Sequence, residues 1–211
     1  MTMRARITFT KQGPLRYTGH LDLHRLWERA MRRAELPITY SQGFHPQPKI
    51  SLAAALPLGF SSRGEVLDVR LNDEIPVEEI SIRLKDSLPP DIQALKVESV
   101  DERAPALQTQ VLSATYEARL SEPIDLSELT RRVSEMMKSE SLPRERRGKP
   151  YDLRPLIEML SVITEANGTA WLRMTLAARE GATGRPEEAL TALGIEPDTV
   201  RVERTRLIFQ E

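Results

Sequence analysis

The chain has 211 residues, 40% of them hydrophobic, with 30 Lys/Arg against 31 Asp/Glu and no cysteine. That is enough apolar material for one large domain or two small ones, and no run of about 18 apolar residues marks a membrane span. Zero cysteines exclude a disulfide framework, a thiolate zinc site and an iron–sulfur cluster held by this chain's own thiolates. The opening MTMRARITFT lacks the apolar stretch of an export signal, so the expected compartment is the cytoplasm.

In chain order, Arg4 to Thr10 alternates, with Ala5, Ile7 and Phe9 on one side, and predicts a half-buried strand. Leu21 to Leu36 predicts a helix: Leu23, Leu26, Trp27, Ala30, Met31 and Ala34 fall on one stripe, while Arg25, Arg29 and Arg32 lie opposite. Lys49 to Pro57 and Glu65 to Leu71 alternate again around LGFSSRG, as a hairpin does. Pro76 then opens a helix through Ile80 and Leu84, and Leu95 with Val97 suggest a closing strand.

The same order returns after the polar segment DERAPALQTQ. Val111 to Leu120 alternates, Asp125 with Glu128 forms a capping-box start to a helix, and strands near Ile157 to Thr164 and Ala170 to Ala177 flank the turn-forming pair Asn167-Gly168. Pro186 opens a short helix that Gly194 closes, and Thr199 to Phe209 supplies a last strand. Strand, helix, strand, strand, helix, strand is the order of a split βαβ unit. The expected fold is therefore α+β: two tandem ferredoxin-like (βαββαβ) units with antiparallel sheets, over residues 1–103 and 110–211.

Charge is balanced overall but not locally. Residues 1–50 carry nine Lys/Arg against three acids, a basic face suited to an anionic partner. YSQGFHPQPKI, residues 40–50, stiffens a loop with Pro46 and Pro48. It reads either as a binding loop presenting Phe44 and His45 to a base or phosphate, or as a connector with Phe44 plugging the core. His20 stands where a helix begins, and Asp22 is the expected cap of that end. His20 and His24 have a spacing that suits a metal but lack a third ligand, so no metal or cofactor site is assigned. In the second half Arg144 to Lys149 reads as a flexible basic loop, and Asp152 and Arg154 as an ion pair.

The strings RYTGHLDL (16–23), RAMRRA (29–34), SQGFHPQPKI (41–50), ALPLG (55–59), EVLDV (65–69) and KPYDLRP (149–155) resemble the bacterial radical-SAM-associated domain of unknown function. Its members are fused behind a radical SAM protein or stand as separate chains. The resemblance implies a radical SAM protein as partner, which would bring its own cysteines. With the basic first half, it leads to the expectation of a non-catalytic accessory domain that binds substrate, RNA or a ribonucleoprotein surface. The expected surface is His20, Arg25, Arg29, Arg32, Phe44, His45 and Lys49, with Arg147, Lys149 and Arg154 as a second patch. One alternative is a metal-independent endoribonuclease using His20 or His45 as general base, although the dense glycine run of such enzymes is missing from residues 181–194. Another is a protein-docking scaffold.

Overall fold

A computed structural model describes residues 2–120, 125–165 and 169–210, and the Asn167-Gly168 turn expected above lies outside them. The chain is mixed α+β, with four α-helices among the described residues and mostly antiparallel strand pairing. It divides into two compact units, Met1–Val111 and Leu112–Glu211. No described helix is long and apolar enough to cross a membrane.

In the first unit the elements are β1 (Met3–Lys11), α1 (His20–Arg33), β2 (Ile50–Leu52), β3 (Ser61–Leu71), α2 (Val77–Lys85) and β4 (Ala94–Val100). The strands lie in the order β2-β3-β1-β4, each antiparallel to its neighbour. Ala5, Ile7 and Phe9 are fully buried, as the alternation requires, and Phe9 meets Trp27 of α1 edge-on with ring centroids 4.8 Å apart. Leu67, Val69 and Leu71 of β3 and Ile80 and Leu84 of α2 complete this core.

Two expectations change here. β2 stops at Leu52 instead of running to Pro57, and β3 starts at Ser61, absorbing residues assigned to the turn. The other face of β1 is not left to solvent: Arg4 is 5% exposed, and its guanidinium donates to Asp68 Oδ2 at 2.9 and 2.6 Å and to the carbonyls of Ala104 and Pro105 at 2.6 and 2.8 Å. Arg6, directly opposite Asp68 in the ladder, donates to Asp68 Oδ1 at 2.8 Å. A buried carboxylate shared by two guanidiniums satisfies itself internally, so Arg4 and Arg6 add nothing to a nucleic-acid face.

The second unit contains β5 (Val111–Arg119), α3 (Leu126–Lys138), β6 (Pro143–Arg146), β7 (Lys149–Asp152), β8 (Ile157–Thr164), β9 (Ala170–Arg179), β10 (Ala182–Thr183), α4 (Pro186–Ala192) and β11 (Arg201–Phe209). β8, β9, β5 and β11 are neighbours in that order, with β10 added to β9. Asp125 caps α3, its Oδ1 accepting from the backbone N–H of Ser127 at 2.9 Å and Glu128 at 3.2 Å. The reciprocal half of the expected box does not form, because Glu128 turns to Arg131 and Arg132. Gly194, at φ 75, ends the α4 region where a side chain would be strained.

β6 and β7 form a separate two-stranded sheet. The expected flexible loop at 144–149 is thus an ordered hairpin. Arg147 (φ 50) and Gly148 (φ 74) form its two-residue turn, the left-handed pair that matches strand twist.

Candidate functional site

The residues Tyr40 to Pro48 form a pinned hairpin. Tyr40 and Pro48 bridge antiparallel, Ser41 N–H donates to Gln47 O at 2.8 Å, Gln47 N–H donates to Ser41 Oγ at 2.9 Å, and Lys49 N–H donates to Thr39 O at 2.8 Å. Pro48 is buried and Gly43 takes φ 132, a conformation that glycine alone adopts readily. The consequence is at the tip: Phe44 has 102% relative exposure, and His45 and Lys49 are also exposed. Phe44 therefore does not plug the core.

Helix α1 buries Leu23, Trp27, Ala30 and Met31 and turns His20, Arg25, Arg29 and Arg32 outward. Gly19 is its N-cap with no side-chain cap, so Asp22 is not the cap expected from the sequence. It pairs instead with Arg25 at 3.3 Å, while its charge still favours the positive helix end. His24 points inward, its Nε2 3.2 Å from Ile50 O, which ties α1 to β2 and separates it in role from His20. Among the described residues no three His, Asp or Glu side chains gather to hold a metal ion.

A groove of about 460 Å³ opens along α1, lined by Thr18, Asp22, Arg25, Arg29, Arg33 and Pro89. Arg33 was not among the predicted surface residues; its Nη2 donates to Ser87 O at 2.6 Å, which fixes the guanidinium at the groove wall. Arg32 is exposed but lies outside the groove. Arg29 has no side-chain partner among the described residues, and Asp22 is the one acid lining the groove. Three guanidiniums against one carboxylate give the groove a net positive lining, and planar guanidiniums suit phosphate oxygens.

The second predicted patch separates. Arg147 and Lys149 are exposed on the β6–β7 hairpin, but Arg154 is spent inside: Nη1 donates to Ile157 O at 2.9 Å and Nη2 to Met137 O at 2.8 Å. The expected Asp152–Arg154 ion pair is replaced by a backbone contact. Asp152 Oδ1 accepts from the N–H groups of Leu142 at 2.7 Å and Arg154 at 2.9 Å, which holds its carboxyl below the usual range. Residue spacing could not reveal this, because the chain leaves strand geometry immediately after Asp152.

Together these features define a mixed α+β protein carrying an exposed basic helix and a pinned aromatic hairpin. The chain belongs to the family described as "Uncharacterized protein conserved in bacteria (DUF2344)", which it matches over residues 4–186. No curated protein matches it. Among solved structures, it is similar to a chain in the crystal structure of a Cbf5-Nop10-Gar1 complex, with TM-score 0.49 and 12% identity over 98% of this chain and 50% of that one. It is also similar to a putative glycine cleavage system transcriptional repressor, with TM-score 0.26 and 11% identity over 100% of this chain and 99% of that one. This chain spans about half the length of the first of these.

Proposed function

We propose that the chain is a non-catalytic accessory subunit that binds RNA, or the RNA of a ribonucleoprotein, for a partner radical SAM enzyme. Phe44 carries the reading. A fully exposed phenylalanine on a hairpin held by three backbone or hydroxyl hydrogen bonds is an aromatic platform already ordered before a base stacks on it. The α1 groove supports it with guanidiniums suited to phosphate. The partner follows from the resemblance of RYTGHLDL and SQGFHPQPKI to radical-SAM-associated chains, and from a sequence whose lack of cysteine leaves cluster binding to another protein. The strand orders of the two units support tandem ferredoxin-like folds, and the cytoplasm is the compartment this role requires.

The test is crosslinking and affinity capture of the tagged chain from its native cells, with RNA and proteins identified together. Enriched RNA that disappears in an Arg25→Ala, Arg29→Ala, Phe44→Ser variant, alongside a radical SAM protein, is the expected result. Recovery of protein partners without RNA would assign the chain to docking. Metal-independent cleavage of the bound RNA, abolished by His45→Ala, would make it an endoribonuclease instead.

A further inference from the structure

The β6–β7 ribbon carries an arrangement that the sequence order conceals. In an antiparallel ladder, directly opposed residues project to the same face. The pairs Arg144↔Tyr151 and Arg146↔Lys149 therefore share one face, and Pro143↔Asp152 and Glu145↔Pro150 share the other. Register sorts three cations and a tyrosine onto one side and puts both carboxylates on the opposite one.

Several arginines on other elements are met by acids: Arg131 and Arg132 by Glu128, Arg173 by Glu117, Arg70 by Glu102. On the ribbon, Arg144, Arg146, Arg147 and Lys149 make no salt bridge among the described residues. Arg146 and Lys149 stand directly opposite each other, a like-charge pair that destabilises a hairpin unless an anion joins it. Arg144, on the same face, keeps its Nε buried and without a hydrogen-bond acceptor. Glu188 also acts on this face, through a side-chain hydrogen bond with Tyr151. Asp152, whose carboxyl is occupied by the N–H groups of Leu142 and Arg154, fixes the ribbon's root.

We infer that this ribbon is a second RNA contact, in which Arg144, Arg146 and Lys149 hold backbone phosphates, Tyr151 lies against the sugar or base beside them, and Arg147 reaches a further phosphate from the turn. The inference rests on the reading that the chain binds RNA, and it adds a separate contact in the second unit. A phosphate between Arg146 and Lys149 removes the like-charge conflict.

The experiment uses the full chain and a fluorescein-labelled RNA hairpin with single-stranded flanks, titrated by anisotropy across a series of salt concentrations. Replacing Arg144, Arg146 and Lys149 by Ala is expected to lower affinity by roughly ten- to a hundredfold near 0.1 M salt and to reduce the logarithmic salt slope by about 2. Arg147→Asn with Lys149→Ala preserves the turn, since Asn-Gly is favoured there, and is expected to reduce the slope by about 1.4 with an unchanged melting temperature. Wild-type binding that both ribbon variants retain in full overturns the inference and leaves the RNA reading standing. Loss of a captured acidic protein with RNA binding intact also overturns it and assigns the ribbon to protein docking. A wild-type chain that binds no RNA removes both readings.

Discussion

Phe44 and Asp68 are opposite cases of how one residue's surroundings set the effect of changing it. Phe44 touches nothing it would destabilise by leaving, so Phe44→Ser should shift unfolding free energy by no more than about 0.5 kcal/mol. The same change should weaken RNA binding by about 1–3 kcal/mol, the value of one base stacked on an aromatic ring, in the anisotropy titration. Asp68 is nearly buried and serves Arg4 and Arg6 at once. Asp68→Ala leaves a buried guanidinium without its counter-charge and should cost about 3–5 kcal/mol in denaturant unfolding. Nothing in the sequence distinguished these two fates: Phe44 fitted a core plug as well as a platform, and Asp68 lay unremarked inside EVLDV. Exposure and pairing across 64 positions of sequence are decided by ladder register, which alternation fixes only in part.

At the scale of elements, α3 is the segment most dependent on its end groups and side-chain pairs. Asp125→Ala removes the cap from Ser127 and Glu128 and should destabilise the protein by about 1 kcal/mol, read as a lower melting temperature. Hydrogen bonds from Arg131 and Arg132 lower the carboxyl of Glu128 from 4.5 to about 2. A depressed carboxylate contributes its stability above its ordinary value and loses it as pH falls through the folded value. Helical circular dichroism attributable to α3 should thus decline between about pH 4.5 and 2, and Glu128→Gln should remove that part of the decline. The element is exposed to solvent, so high salt should blunt the effect. The α3 cap, the bounds of β8 and the buried stripe of α1 were legible because each rests on local spacing and capping chemistry. The ribbon was not. Arg144 to Lys149 offers neither an apolar alternation nor an Asn-Gly turn, and its strand character is set by pairing with Lys149 to Asp152 and by the left-handed Arg147-Gly148 turn.

At the scale of the whole molecule, 30 basic and 31 acidic residues leave almost no net charge, so any affinity for a polyanion must come from where the cations are left unpaired. Arg25→Ala with Arg29→Ala should then reduce the logarithmic salt slope of RNA binding by about 1.4, as salt-series titration would show. The main strand and helix order was readable from periodicity, and the polar segment 101–110 between the two expected units is tied into the first. Leu107 is 1% exposed, Gln108 Nε2 donates to Leu52 O at 3.0 Å, Gln110 Nε2 donates to Pro105 O at 2.6 Å, and Arg4 grips the Ala104 and Pro105 carbonyls. A protease must draw several residues into an extended, unbonded form before it can cut. Trypsin should therefore spare Arg103 in the native chain and nick first at the exposed Arg147 turn, so that the boundary suggested by composition is a poor place to divide this protein for expression.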